Sequence, residues 1–156
     1  MMKTNIMKKA VAFGLAMGVV TLLPLTAQAE GHTFALVTHS TQSTYWQTLN
    51  AGAEAAAAES GDEIYFTAPV NGSTDINGQV DVMQTCIDKG VDGIMLAAAD
   101  VDALVPITEQ AIEKGIPVVA VDCGLNSDKV ISSIATDNAG AAAELAKKVA
   151  VDIEEV

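Results

Sequence analysis

From Thr33 onward the chain alternates short, almost unbroken apolar runs with longer segments whose apolar residues recur at helical spacing. The runs TFALVT (33–38), EIYFTA (63–68), DGIMLAA (92–98), IPVVAVD (116–122) and VISSIAT (130–136) read as five strands. Between the first two lies YWQTLNAGAEAAAAESG, rich in helix formers and stopped at Gly61. STDINGQVDVMQTCIDKG predicts a second helix, opened by Ser73 or Thr74 as cap and closed by Gly90. DVDALVPITEQAIEKG predicts a third, capped by Asp100 and ended by Gly115. The turn CGLNSDK follows the fourth strand, and a last helix is expected from about Asn138. Continuous apolar strands alternating with amphipathic helices predict an α/β domain: a mainly parallel sheet with helices on both faces.

In such sheets ligands bind outside the carboxyl ends of the strands. Those ends are Thr38 to Ser43, Ala68 to Asn71, Ala97 to Asp100, Asp122 to Gly124, and Thr136 with Asp137. The first of them runs into Tyr45 and Trp46, an adjacent pair in a chain with six aromatic residues in all. An indole or phenol face suits the C–H face of a pyranose or furanose, and a carboxylate such as Asp122 accepts well from sugar hydroxyls. The pair could instead pack the first helix on the sheet, but neighbours on a helix point about 100° apart and do not share one face. Asp100 and Asp137 read first as helix caps, His39 as a solvated loop residue, and Asn71 with Gly72 as a turn.

The start of the chain places this sheet in a compartment. Lys3, Lys8 and Lys9 precede an apolar run from Ala10 to Leu23, then Pro24 and the small-residue pattern Ala27-Gln28-Ala29. That is a secretory signal, with cleavage expected after Ala29, and the run is shorter than the ~20 apolar residues that span a bilayer. Cleavage removes three of the eight lysines and no acid, leaving five basic against twenty acidic groups, a formal charge of −15. Such a surface repels nucleic acid and anionic lipid. With no arginine in the chain, the bidentate fork that holds phosphates and carboxylates is missing, so a neutral or cationic ligand is expected.

Cys86 falls late in a helix and Cys123 just after a strand, at opposite ends of the predicted sheet, so a disulfide is not expected although an exported protein would permit one. Neither they nor His32 and His39 show the paired spacing of a metal site, and no cofactor is expected.

The stretches YWQTLNAGAEAAA, VDGIMLAAADVDAL, GIPVVAVD and IATDNAGAAAELA, in that order behind a signal peptide, resemble the periplasmic sugar-binding proteins of the ribose-binding type. These are the type I substrate-binding components of bacterial ABC importers. The resemblance covers residues 33 to about 150 and implies two Rossmann-like lobes, with sheets of flavodoxin-like order, closing on a sugar. By position it implies ligand contacts from Ser43, Tyr45, Trp46 and Asp122, and puts Thr136 where the chain leaves the first lobe. The residue after the aspartate is often arginine in that family and is Cys123 here, so the sugar oxygens must be satisfied otherwise. Members run to about twice this length, so the chain is expected to be an amino-terminal fragment: a signal peptide (1–29), a sugar-binding lobe (30–136) and the start of a second lobe (137–156).

The resemblance implies a neutral monosaccharide or similar polyol as ligand, and ABC permease subunits or a chemoreceptor as partners. It also implies a monomer without membrane-spanning segments in the mature protein. Within this class a sensor that presents its sugar to a chemoreceptor or signalling kinase is the alternative to a transporter component. An enzyme on such a sheet would need a phosphate loop or an activated nucleophile, and G-x-G-x-x-G, G-x-x-x-x-G-K-[ST] and G-x-S-x-G are all absent. A sugar-responsive transcription regulator would begin with a DNA-binding helix pair, not an export signal.

Overall fold

A computed structural model describes residues 31–154; the expected leader, 1–29, lies outside the described residues. The elements run β1 (Thr33–Val37), α1 (Thr44–Ser60), β2 (Glu63–Thr67), α2 (Ile76–Lys89), β3 (Gly93–Leu96), α3 (Val105–Glu113), β4 (Val118–Val121), β5 (Ser132–Ile134) and α4 (Asn138–Glu154). The five strands form one sheet in the order β2-β1-β3-β4-β5. All four pairings are parallel; Ala35 of β1, for instance, stands opposite Tyr65 on one side and Ile94 on the other. The parallel sheet is the one the alternation predicted, and its doubly wound, flavodoxin-like order is the one the family resemblance implied.

Right-handed crossovers in this order put α1 on one face of the sheet and α2 with α3 on the other. The α2–α3 side is the dry one. Ala35 and Val37, Ile94 and Leu96, and Val118, every second residue of their strands, meet Met83, Cys86 and Ile87 of α2 and Ile107 and Ala111 of α3 in one buried cluster. Leu36, Met83, Leu96 and Leu104 are fully buried, each stabilising the fold by roughly 1.5–3 kcal/mol. The opposite face is covered less completely than the strand pattern predicted. Past α1 an open apolar trough runs from β1 across β3 and β4 to Ile131, just before β5, lined by Phe34, Met95 and Val119 and flanked by Ala53 and Ala56. β5 is exposed throughout, and α4 leaves Leu145, Val149, Val151 and Ile153 on the surface.

Local chemistry sets the boundaries. α1 and α2 end at Gly61 and Gly90, whose φ of 81° and 67° belong to the left-handed region where glycine has no Cβ to clash. The cap of α2 is Asp75, not Ser73 or Thr74: its Oδ1 accepts the amide of Gly78 at 2.8 Å, while Asn71 Nδ2 donates to its Oδ2. A carboxylate is the stronger acceptor for helix-start amides, and it wins over the hydroxyls beside it. The regular helix α3 also starts later than its sequence cap. Asp100 Oδ1 accepts from the amides of Asp102 and Ala103, capping a turn, and α-helical geometry begins at Val105, where Pro106 lies in the first turn and has no amide to satisfy.

One buried side chain ties the carboxyl edge of the sheet together. Gln79 is fully buried. Its Nε2 donates to the carbonyls of Thr38 (3.3 Å) and Ala97 (2.8 Å), just past β1 and β3, and its Oε1 accepts from the amide of Ala99 (2.7 Å). Three backbone groups that leave the ladder where the strands end thus find partners in one amide.

Gln79→Leu keeps the volume and removes all three bonds, so urea unfolding is expected to show a loss of about 2–4 kcal/mol, the scale of stranding buried polar groups. An unchanged midpoint would mean that water or a shifted backbone replaces the amide. Both cysteines are free, Cys86 buried and Cys123 partly exposed. Burial pushes the Cys86 thiol up to about 11, so an aromatic disulfide reagent at pH 8 is expected to titrate Cys123 first and Cys86 only on denaturation, two thiols in total without reductant.

Candidate functional site

The loop Thr38–Ser43 leaves β1 at the edge that Gln79 fastens and turns straight into α1. It is stitched to itself: Thr38 Oγ1 donates to the Ser40 carbonyl (3.1 Å), and Gln47 Nε2 reaches back to the carbonyl of Thr41 (3.3 Å). Ser43 takes the N-cap position of α1 with extended backbone (φ −69°, ψ 133°) and makes no capping bond with its side chain. Tyr45 and Trp46 are therefore fixed by the first turn of the helix.

The two rings do different work. Trp46 is 7 % exposed, its indole meeting the His39 imidazole edge to face at 5.1 Å and the Tyr45 ring at 4.8 Å. Tyr45 is 54 % exposed. Perpendicular aromatic pairs at these separations are favourable beyond their burial, so His39, Trp46 and Tyr45 form one stacked row on the edge of the sheet. His39 is thus part of the row and not a solvated loop residue, and its Nε2 is buried without a hydrogen-bond partner.

At the far end of the row stands Asp122. Tyr45 Oη donates to Asp122 Oδ1 at 2.6 Å, joining residues 77 positions apart. A phenol bonded to a carboxylate holds its proton more tightly, and this bond is the main reason the Tyr45 hydroxyl titrates above its ordinary range. The second carboxylate oxygen faces Cys123, whose Sγ donates to Oδ2 at 3.4 Å. Burial and, after it, this contact raise the Cys123 thiol.

The backbone under Asp122 is unusual. Among the described residues it is the one non-glycine with positive φ (64°), and the Cys123 amide donates to the Val121 carbonyl at 2.7 Å across it. That is a γ-turn of the rare positive-φ kind, strained for a residue with a Cβ. The Asp122 amide in turn donates to the Ile134 carbonyl (2.8 Å), carrying the β4–β5 pairing one residue past β4.

Of the five residues singled out from the sequence, the structure brings Tyr45, Trp46 and Asp122 into one contiguous group, with Ser43 two positions before Tyr45 at the helix start. Thr136 is exposed in the link to α4, where its carbonyl accepts from the Asn138 amide (2.8 Å), and it has no bond to the group. Asp100 and Asp137 are caps: Asp137 Oδ1 accepts from the Gly140 amide at 2.8 Å, and two backbone amides hold the Asp100 carboxyl below its usual range. Sequence reasoning missed Gln79. The available signal was its place on the apolar stripe Ile76, Val80, Met83 and Ile87, where a polar side chain has to find buried partners.

One carboxylate, one phenol, an imidazole and a row of ring edges can orient a ligand with hydroxyls and an apolar face. No group of three His, Cys, Asp or Glu side chains among the described residues is arranged to hold a metal ion. No helix among them is long and apolar enough to cross a membrane. A hollow of about 600 Å³ opens beside Tyr45, but on the α1 side between Leu49, Met95 and Ile134, where it continues the apolar trough and does not include Asp122.

Residues 34–155 match the family described as periplasmic binding protein domain. A D-ribose/D-allose-binding protein of Pseudomonas aeruginosa is 33 % identical over 107 residues, 65 % of this chain and 34 % of that protein. Among solved structures, an ABC transporter solute-binding protein of Agrobacterium vitis with bound D-fucose superposes with a TM-score of 0.67 at 37 % identity, covering 75 % of this chain and 41 % of the other. A chain of the XylFII–LytSN complex superposes equally well, 0.67 at 28 % identity, with 76 % and 44 % covered. The chain thus spans 34–44 % of the length of these relatives. The match of the family profile across nearly all the described residues makes the chain a member of the periplasmic binding protein domain family.

Proposed function

We propose that this chain is the amino-terminal lobe of a periplasmic sugar-binding component of an ABC importer, and that it takes one side of a neutral monosaccharide or similar polyol. Residues 30–136 form the lobe, 137–156 begin a second lobe, and 1–29 are the export signal. The observation that carries this reading is the Tyr45–Asp122 pair at the carboxyl edge, a phenol whose hydroxyl lies 2.6 Å from a fixed carboxylate oxygen, in a chain without arginine. Sugar hydroxyls donate to Asp122 while the C–H face of the ring lies on the aromatic row; Ser43 and Thr136 contribute from the rim.

A single lobe leaves this group open to water, so enclosure by an opposing surface strengthens each polar contact. Two of the named relatives are described as binding D-ribose or D-allose and as holding D-fucose, which supports the ligand class. A second reading, a periplasmic sensor that hands its signal to a receptor or kinase, draws support from the likeness to the XylFII–LytSN complex.

In the complete gene product, calorimetry against a panel of pentoses and hexoses is expected to find a ligand whose binding weakens by about 1.5–3 kcal/mol in Asp122→Ala, the scale of a hydrogen bond to a charged group. Trp46→Ala should cost about 1–3 kcal/mol, because the row behind Tyr45 collapses. Asp100→Ala is the control: it should lower stability by roughly 1 kcal/mol as a lost cap and leave affinity unchanged. Full affinity in both site variants would remove these residues from the binding surface. Mass spectrometry of the periplasmic fraction should give a chain beginning at Glu30; an intact Met1 in the membrane fraction would overturn the export reading.

A further inference from the structure

Both oxygens of the Asp122 carboxylate are already engaged by the protein's own side chains, and unequally. Oδ1 receives the Tyr45 hydroxyl at 2.6 Å, a short charge-assisted bond. Oδ2 receives the Cys123 thiol at 3.4 Å, a long bond from a weak donor. Neither end of the stronger bond can easily retreat. Tyr45 sits in the first turn of α1 with its ring against Trp46, and Trp46 is held by His39. Asp122 sits in a turn whose amides are tied to Val121 and, across the sheet, to Ile134.

We propose that Tyr45 is a specificity-determining residue: its short bond fills one of the two acceptor positions of Oδ1 and draws charge from that oxygen, so Oδ2 is the stronger acceptor at Asp122 and the site reads one sugar hydroxyl there while tolerating the absence of its neighbour. A bare carboxylate on a rigid turn offers two charged acceptors side by side, a match for two vicinal hydroxyls. With one position on Oδ1 filled and its charge drawn toward the phenol, the second hydroxyl of such a pair meets a weakened carboxylate lone pair or the phenol oxygen, a neutral acceptor. A ligand hydroxyl displaces the thiol from Oδ2 at little cost, because S–H is the weaker donor. The hydroxyl next to the one held by Asp122 therefore adds little affinity, and sugars lacking it are accepted almost as well. This inference rests on the sugar-binding reading above and names the subclass that the site prefers.

The test compares the unmodified complete gene product, Tyr45→Phe and Tyr45→Phe with Asp122→Asn. Each is titrated calorimetrically with the tightest-binding sugar of a pentose and hexose panel and with that sugar's monodeoxy analogues. Removing the phenol oxygen frees Oδ1, so the penalty for one deoxy position is expected to grow about tenfold in Tyr45→Phe, the difference between a neutral and a charged acceptor. The growth should vanish in the double variant. Penalties unchanged at every position, or affinity falling by the same factor for all ligands, would show that Tyr45 serves only as a ring and would overturn the inference alone. No binding of any panel sugar by the unmodified protein would overturn the sugar reading and this inference with it. A readout without ligand checks the pair itself: in a Tyr65→Phe background, ultraviolet titration should show the Tyr45 phenol ionising above pH 10, with Asp122→Asn bringing it down. A titration that Asp122→Asn does not move means the bond is absent in solution, and the proposal fails.

Discussion

A strand that ends in a loop leaves amides and carbonyls with no neighbour to bond, and where those ends are buried something else must satisfy them. Here the side chain of Gln79 does so, spanning from the carbonyl after β1 to the carbonyl and amide after β3. Because the two strands are adjacent in the sheet, the amide fixes the spacing of the two loops that rise from them, one leading to the aromatic row and the other to the Asp100 turn. Every distance in the site on the β1 side is measured from an edge that this one side chain defines.

The other half of the site is anchored differently. Asp122 hangs at the end of β4, where the last hydrogen bond to β5 and the γ-turn hold its backbone at positive φ. β4 reaches β1 only through β3, so the phenol–carboxylate bond closes a ring of elements: β1, α1, Tyr45, Asp122, β4, β3 and back. A closed ring resists shear better than an open sheet edge, and it places the strained turn inside a structure that over-determines it.

Much of this was legible in the amino-acid order. The five apolar runs, the glycine stops and the strand-end positions of Tyr45 and Asp122 come from patterns with periods of two and 3.6, which backbone geometry enforces wherever the core is. What escaped depends on partners distant in sequence. Ser73, Thr74 and Asp75 are all acceptable caps in isolation, and only the approach of Gly78 and Asn71 selects the carboxylate. Trp46 and Tyr45 are equivalent on paper, whereas in the fold His39 covers one and leaves the other in water. Gln79 lies on the apolar stripe of α2, but which buried groups it satisfies is settled only when the loops after β1 and β3 are in place. The open trough beyond α1 is likewise invisible in Phe34, Met95 and Val119, whose alternation says only that a face is apolar and not how much of it α1 covers.

The positive φ of Asp122 has an evolutionary consequence. Glycine adopts that conformation without a Cβ penalty, so exchanging the aspartate for glycine relieves backbone strain at the cost of the carboxylate. On the proposed sugar-binding reading, selection for stability and selection for recognition pull in opposite directions at a single codon, and GAY and GGY, the codon classes concerned, differ by one base. A lineage released from the need to recognise its ligand is expected to drift toward glycine at this position sooner than at Tyr45, whose ring still covers Trp46 when the hydroxyl has nothing left to hold.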